Sequence, residues 1–180
     1  MTDLRTAIFS ALSACLDLMP ESEEALAAIR EAYNEPENSP RSPLDRDVVY
    51  WRLMEDVSAQ VLPPTYMMNS GTSGGTQTPM IHTTLAASLL LIFYGPRSME
   101  NAGKVRLRLY LDGAGNPRSI LRAAGIYPVP QPPLPLRLAD QEGSLWRPRA
   151  DLSIPLRIHI TVPGLQRNAI TTPPDITLHG

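Results

Sequence analysis

The sequence predicts an α+β domain in which helices pack on one face of an antiparallel or mixed β-sheet, with a long loop and proline-rich arms. Three observations support this class. Residues 3–17 have the apolar spacing of an amphipathic helix, His82 to Tyr94 is apolar enough for a central strand, and Leu152 to Val162 alternates as a strand does. Because 43% of the 180 residues are hydrophobic, the chain can form one core, and we treat residues 1–180 as a single domain.

The first third of the chain is predicted to be helical and then extended. After the helix at residues 3–17, Ser22 and the acidic residues that follow it begin a second helix, and we expect helices up to residue 33. The three prolines of residues 34–43 predict a loop. Residues 48–61 are rich in β-formers and predict a strand. From residue 45 to 165 we expect the core of the domain.

The strongest strand prediction is His82 to Tyr94. Its odd-numbered and even-numbered residues are both largely apolar, which is typical of a central strand covered on both faces. Asn69 to Pro79, just before it, is rich in Gly, Ser and Thr and predicts a long loop between two strands. The Gly95-Pro96 pair ends the strand.

The segment from Ser98 to Leu111 fits two structures. Its second half alternates apolar and polar residues, which favours a strand. Its apolar residues also lie three or four apart, which favours a helix, and Ser98 is a suitable N-cap. We predict a helix, on the basis of the resemblance described below, although the local alternation slightly favours a strand.

The last third of the chain is predicted to be mostly extended. Residues 117–124 form a short helix. Residues 126–138 contain five prolines and predict an edge strand or a polyproline-II-like arm. The strand at residues 152–162 has one polar face, and its Pro155 predicts an edge position or a bulge. Residues 166–180 are predicted to form a C-terminal arm or edge strand.

Composition excludes several classes of function. Sixteen basic and eighteen acidic residues give a net charge of −2, so we expect no sequence-specific nucleic-acid binding. Leu85 to Tyr94, the most apolar stretch, is shorter than the roughly 20 residues of a membrane-spanning helix. The N-terminus lacks a basic region followed by an apolar run, so we expect no signal peptide. The single cysteine, Cys15, is predicted to be a buried hydrophobe.

No catalytic, cofactor or metal site is predicted. Gly71-Thr72-Ser73-Gly74-Gly75 is similar to the serine turn of trypsin-like proteases, but His82, His159 and His179 lie in no recognisable context for a catalytic base. We therefore interpret the segment as a flexible loop. The histidines also lack the spacing of zinc ligands. The only lysine, Lys104, lies outside any phosphate-binding glycine motif.

Four arginines fall on the two adjacent helices predicted after the central strand. They are Arg106, Arg108, Arg118 and Arg122. Two interpretations remain open: a solvated polar face, or a surface that contacts the acidic residues of a neighbouring subunit. The acidic first turn of the second helix is a candidate complement.

The segment from Leu90 to Ala102, Leu-Leu-Ile-Phe-Tyr-Gly-Pro-Arg-Ser-Met-Glu-Asn-Ala, resembles a family of phage neck or tail terminator proteins. In that family a core strand ends in a Phe-x-Gly-Pro-like turn and a helix follows. Residues 121–126 are similar to the family's next helix, which ends near Gly-Ile. Residues 146–152 are similar to its Trp-x-x-Arg-like element, and Tyr50-Trp51-Arg52 fits an upstream strand.

The resemblance covers roughly residues 45–165. It implies a structural virion protein with no cofactor, which forms a ring, hexameric in the family, at the neck of a phage tail. Such a ring ends polymerisation of the tail tube and joins the tail to the head connector. The implied partners are further copies of the chain, the tail tube protein and a head-proximal connector or neck protein, with no membrane. Assembly would take place in the host cytoplasm.

The resemblance also implies roles for single residues. Gly95 and Pro96 would turn the buried strand into a helix, Trp146 would anchor packing, and Arg149 would pair with a carboxylate. The loop at residues 69–79 is expected to contact a neighbouring subunit or the tail tube. Its glycines are Gly71, Gly74 and Gly75. The alternative function is a small α+β enzyme or ligand-binding domain with this loop as a lid.

Overall fold

The computed structural model of the protein describes residues 4–32, 45–55, 65–67, 80–113, 115–142 and 144–163. The elements are α1 (Leu4–Cys15), α2 (Glu23–Ala28), β1 (Ile29–Glu31), β2 (Val48–Glu55), β3 (Thr65–Met67), β4 (Met80–Tyr94), α3 (Ser98–Arg108), α4 (Pro117–Ala123), β5 (Ile126–Pro128), β6 (Leu136–Glu142) and β7 (Leu145–Pro163). In these ranges no helix is long and apolar enough to cross a membrane.

The described strands form one sheet with five rows, in the order β1, β2, β4, β7 and β5. β3 lies beside β4 in the row of β2, and β6 lies beside β7 in the row of β5. β1 runs parallel to β2, and the other pairs are antiparallel. The sheet is therefore mixed, and the α+β class that the sequence predicts is confirmed.

The core lies between one face of this sheet and the helices. Alternate residues of β4 from Ala87 to Phe93 and of β7 from Ala150 to Ile158 are buried there. α1, α3 and α4 contribute the opposing side chains, which include Ile8, Leu12, Ala102, Val105 and Leu121. The buried residues Ala25 of α2 and Val48 of β2 lie outside this cluster of core residues. The prediction that β4 is covered on both faces is confirmed for this face, and on the other face Ala86 is buried while Leu90 and Ile92 are half-buried.

The ambiguous segment after β4 is a helix, as predicted. In α3 and the turn after it, Ala102, Val105 and Leu109 are buried, whereas Leu107 is 60% exposed and Leu111 is 56% exposed. The helical spacing of three and four residues therefore predicts which side chains are buried, and the strand-like alternation of the second half does not.

The turn between β4 and α3 contains Gly95 and Pro96, at the position predicted. Gly95 has φ +111°, a conformation that favours glycine, and its amide donates to the carbonyl of Pro148 at 3.3 Å. Asp47, just before β2, accepts the backbone amide of Arg97 at 2.9 Å. The prediction that Ser98 caps α3 is wrong, because Ser98 is the first helical residue and is buried.

The second helix is shorter than predicted. Ser22 caps it by accepting the amide of Ala25 at 3.1 Å, but the helix ends at Ala28 rather than near residue 33. β1 follows at once and pairs with β2. Ile29 is buried in the core. Pairing with β2, rather than a longer helix, supplies the backbone hydrogen bonds of β1.

Pro155 lies in a strand with neighbours on both sides, so its predicted edge position is wrong. β7 pairs with β4 throughout this region, and Ser88 is the partner of Pro155. The carbonyl of Pro155 accepts the amide of Val129 at 2.9 Å, on the side away from β4. A residue's N–H and C=O point to the same side of a strand, so the missing proline N–H costs the β4–β7 ladder no hydrogen bond.

Two glycine substitutions test the turn after β4. Gly95→Ala should destabilise the fold by about 1–3 kcal/mol, because the residue has a positive φ. A Cβ atom there would also lie 2.5 Å from Asp47 Oδ1 and 2.7 Å from the carbonyl of Arg46. The matched control is Gly103→Ala within α3, where a Cβ meets nothing within 4 Å and should stabilise by about 0.5–1 kcal/mol. Thermal melting of both variants measures the difference, and equal melting points would contradict the role given to Gly95.

Candidate functional site at the β6–β7 ribbon

β6 and β7 extend beyond the rest of the sheet. The last residue pair between β4 and β7 at this end of the sheet is Tyr94 and Arg149. Beyond it, Ala139–Glu142 pair with Leu145–Pro148 and, among the described strands, with no other. We call these two paired segments the ribbon. Its length is about 13 Å, and a two-stranded ribbon alone is marginally stable in water, so its base must hold it in place.

Exposed apolar side chains concentrate on the ribbon and on the residues that lead into it. Trp146 is 68% exposed, and Leu145 beside it is 55% exposed. Successive residues of a strand point to opposite faces, so both faces of the ribbon carry apolar surface. Further exposed leucines along this stretch are Leu134, Leu136 and Leu138. This concentration is typical of a surface that another molecule covers.

The prediction that Trp146 anchors packing in the core is wrong. Trp146 has the same parity along β7 as the buried residues Ala150 and Leu152, so strand periodicity alone places it on the core face. It lies beyond the last residue pair between β7 and β4, and its side chain is largely exposed. Periodicity predicts the face of a side chain, but not where along the strand the helix layer ends.

A network of charged and aromatic residues lies at the base of the ribbon, on the sheet face opposite the helices. Its members are Tyr94, Asp140, Arg147, Arg149 and Asp151, which we call the base network. Arg149 binds both oxygens of Asp151 through Nε and Nη2, each at 2.7 Å. Its Nη1 donates to Asp140 Oδ2 at 3.0 Å and to Oδ1 at 3.2 Å. One arginine therefore joins a carboxylate of β6 to a carboxylate of β7.

Tyr94 connects this network to the central strand. Its hydroxyl donates to Asp140 Oδ2 at 2.6 Å. The guanidinium of Arg147 lies 4.6 Å from the centre of its ring, a cation–π contact, and the ring of Tyr50 packs edge-on at 6.0 Å. The base network thus fixes the ribbon to β4 as well as joining its two strands.

The electrostatics of the base network are balanced. Two carboxylates face two guanidinium groups. Burial and the hydrogen bond to Asp140 raise the pKa of Tyr94 to about 12. Hydrogen bonds from Tyr94 and Arg149 lower the pKa of Asp140, and those from Arg149 to Asp151 and Asp140 raise the pKa of the arginine. Each charge is stabilised by its neighbours, so the arrangement serves to position the strands.

The sequence predicted one member of this network. Arg149 pairs with carboxylates, as predicted. Asp151 could have been found from the alternation of β7, because residues two apart lie on one face of a strand. Tyr94 and Asp140 depend on the register between strands, which strand periodicity alone does not determine.

The four arginines after the central strand do not form one patch of unpaired charge. Arg118 and Arg122 both pair with Asp112, at 3.0 Å and 3.2 Å. Arg106 donates to the carbonyl of Pro132 at 3.4 Å. These arginines make contacts within the chain, and the interpretation that they contact the acidic residues of a neighbouring subunit stays a prediction.

Arg108 has a separate structural role. Its guanidinium donates to the carbonyl of Cys15 at 2.9 Å, at the C-terminus of α1, and pairs with Asp17. A cation at this end of a helix is favourable, because the last carbonyls have no partner within the helix. Cys15 itself is fully buried, as predicted, and burial raises the pKa of its thiol to about 12.

The remaining predicted residues give no second site. Gly71, Gly74 and Gly75 lie outside the described residues. His82 and His159 are described, and Thr161 Oγ1 lies 3.0 Å from His82 Nδ1. Within the described ranges, no group of three or more His, Cys, Asp or Glu residues is placed to hold a metal ion.

No family model matches the sequence, and no curated protein matches it. The ribbon and its base network are therefore the features from which a function is inferred.

Trp146→Ala should leave the stability of the isolated chain within about 0.5 kcal/mol of the unsubstituted protein, because the side chain is largely exposed. The matched control is Phe93→Ala in the core, which should cost about 3–5 kcal/mol. Denaturant unfolding of the two variants measures both values. A loss of several kcal/mol for Trp146→Ala would show that the tryptophan belongs to the core after all.

Tyr94 should give the fold an alkaline limit. The ordinary pKa of a tyrosine is 10.0 and that of Tyr94 in the folded chain is about 12, so the unfolded chain loses this proton first as pH rises. The contribution of Tyr94 is therefore complete below pH 10 and is lost between pH 10 and about 12. Tyr94→Phe should flatten this part of the stability profile, measured by denaturant unfolding against pH. Tyr127→Phe, at an exposed tyrosine of β5, should keep the original slope, and an identical slope for Tyr94→Phe would exclude this role.

Proposed function

We propose that this chain is a structural protein of a phage tail. Identical copies assemble into a ring at the neck, end the polymerisation of the tail tube and join the tail to the head connector. The observation that carries the proposal is the ribbon, a projecting two-stranded element with exposed apolar side chains on both faces. The resemblance of residues 45–165 to phage neck or tail terminator proteins supplies the phage context and the hexameric stoichiometry.

The ribbon is suited to bind an adjacent copy of the chain. Burying a tryptophan removes about 150–250 Å² from water. Since 68% of Trp146 is exposed, burying that part at about 25 cal/mol per Å² contributes roughly 3–4 kcal/mol before the entropic cost of association is subtracted. The exposed leucines beside Trp146 add to it. In the proposed ring the ribbon binds a different surface of the adjacent copy, so the contact is heterologous, and heterologous contacts whose rotation closes form a ring.

The edge of β6 offers a second type of contact to the same neighbour. Among the described strands, β6 pairs with β7 alone, so its outer row of backbone N–H and C=O groups is available. An extended segment from the adjacent copy can pair with such an edge while its side chains pack on the leucines of β6. Backbone pairing and apolar burial therefore act on one partner.

The base network supports this role because it orients the ribbon before assembly. Arg149 holds both strands of the ribbon, and Tyr94 holds them to β4. An element that already has its bound orientation loses less entropy on association. The charged groups that meet in the described part of the chain are bound to one another, which favours the ring over the enzyme or ligand-binding alternative. The loop proposed as a lid for that alternative, residues 69–79, lies outside the described residues.

The solution mass tests the proposal directly. The protein, alone or with its tail tube protein, should form a particle of about six times the 19.8 kDa chain mass, measured by light scattering after size-exclusion chromatography. Electron microscopy of particles from a phage that lacks the gene should show overlong or irregular tails without heads. A monomer under all conditions, together with normal tails from the deletion, would refute it.

Trp146→Ala should also weaken ring assembly, since aromatic anchors at interface centres typically contribute about 2 kcal/mol or more. That corresponds to roughly a thirtyfold loss of affinity per contact. The matched control is Leu107→Ala on α3, a side chain that is also exposed but lies away from the ribbon. Mass measurements across a dilution series compare the two variants. Equal assembly of both would place the subunit contact somewhere other than the ribbon.

A further inference from the structure

The segment between β5 and β6 is a proline-rich connector, and two hydrogen bonds join it to the rest of the chain. We call residues 129–135 the proline arm. The amide of Val129 donates to the carbonyl of Pro155 at 2.9 Å, and the carbonyl of Pro132 accepts from Arg106 at 3.4 Å. The arm has neither helix nor strand from residue 132 to 135. It is therefore an ordered segment on the surface with a non-repetitive hydrogen-bond pattern.

The sequence of the arm favours a polyproline-II backbone. Pro132, Pro133 and Pro135 each have φ near −65° from ring closure. Pro132 and Leu134 each precede a proline, which disfavours the helical region for them. Pro132 and Leu134 are thus biased toward the extended region in which polyproline II lies, and the φ of Pro133 and Pro135 is compatible with it.

The side chains that follow this backbone are arranged as in a proline-rich recognition motif. Pro132, Leu134, Pro135 and Arg137 have the order Pro-x-φ-Pro-x-Arg, where φ is apolar. With three residues per turn, Pro132 and Pro135 lie on one ridge of a polyproline-II helix and Leu134 lies on the next. Leu134 is 77% exposed, Pro132 is exposed and Pro135 is half-buried. The third ridge, at Pro133, is half-buried as well.

Arg137 completes the motif with a charge that is available to a partner. It is exposed at the start of β6, and in the part of the chain that the structure describes it makes no ion pair. It follows Pro135 by two extended residues, or about 7 Å. A carboxylate at one end of a groove that holds the prolines would reach it.

We propose that the proline arm binds a protein groove lined by aromatic side chains, with a carboxylate at one end, of the kind that SH3 domains present. Pro132, Leu134 and Pro135 occupy the aromatic pockets, and Arg137 pairs with the carboxylate. The prolines and the contacts at Val129 and Pro132 already restrict the arm, so little conformational entropy is lost on binding. This interaction goes beyond ring formation, and it competes with the proposed subunit contact for Leu134 and the start of β6.

The test uses the full chain and, as the probe, a purified SH3 domain that recognises peptides of the order Pro-x-φ-Pro-x-Arg. Isothermal titration calorimetry should show saturable binding with one site per chain. Pro135→Ala and Arg137→Glu should each weaken the affinity by about tenfold or more. Thermal melting of each variant verifies that it is folded.

Two matched controls separate the motif from proline content and from net charge. Pro130→Ala removes an exposed proline of the same arm that lies outside the motif, and Arg157→Glu makes the same charge change at an exposed arginine of β7. Both should keep the original affinity. The proposal is overturned if the probe does not bind the unsubstituted chain, or if Pro130→Ala weakens binding as much as Pro135→Ala does. Neither result bears on the solution mass, so it leaves the ring proposal to its own test.

Discussion

The pairing of β4 with β7 over fifteen residues is the constraint on which the rest of the structure depends. An antiparallel pair of this length places every second residue of both strands on one face, and those residues form most of the sheet side of the core. The helices pack on that face. The opposite face carries the polar residues of β7 beside Leu90 and Ile92 of β4, and Tyr94, Arg149 and Asp151 meet there. One register therefore creates both the core and the base network.

The greater length of β7 makes the ribbon project beyond the end of β4. β4 ends at Tyr94, where Gly95 and Pro96 lead into α3, while β7 and β6 continue. The ribbon exists because one strand of the central pair stops before its neighbours do. Its exposed tryptophan is then presented beyond the helix layer, on a base that charge pairs and a tyrosine hold. Under the proposed function, the same turn that completes the fold also determines how far the subunit contact projects.

Local patterns predicted most elements of the fold. The central strand, the alternation of β7 and the Gly95-Pro96 turn were accessible because each depends on neighbouring residues, whereas the helix α3 was predicted from the resemblance, since the local alternation slightly favoured a strand. Trp146 and Pro155 were misplaced because their environments depend on where other strands begin and end: Trp146 lies past the end of β4, and the N–H that Pro155 lacks would point away from β4. The base network was mostly missed for the same reason, since Asp140 and Tyr94 are 46 residues apart in sequence.

The balance of charge in the base network has a consequence for how the molecule responds to salt. Dissolved ions weaken attractions between charges that are exposed to solvent, but they act less on charges that are partly buried beside their partners. The orientation of the ribbon depends on charges that are partly buried beside their partners, and salt screening does not weaken apolar association. Arg137 is exposed to solvent, so dissolved ions weaken its attraction to a carboxylate. Under the two proposals, the ribbon contact and the proline-arm contact therefore differ in their response to ionic strength, and the first can persist under conditions that release the second.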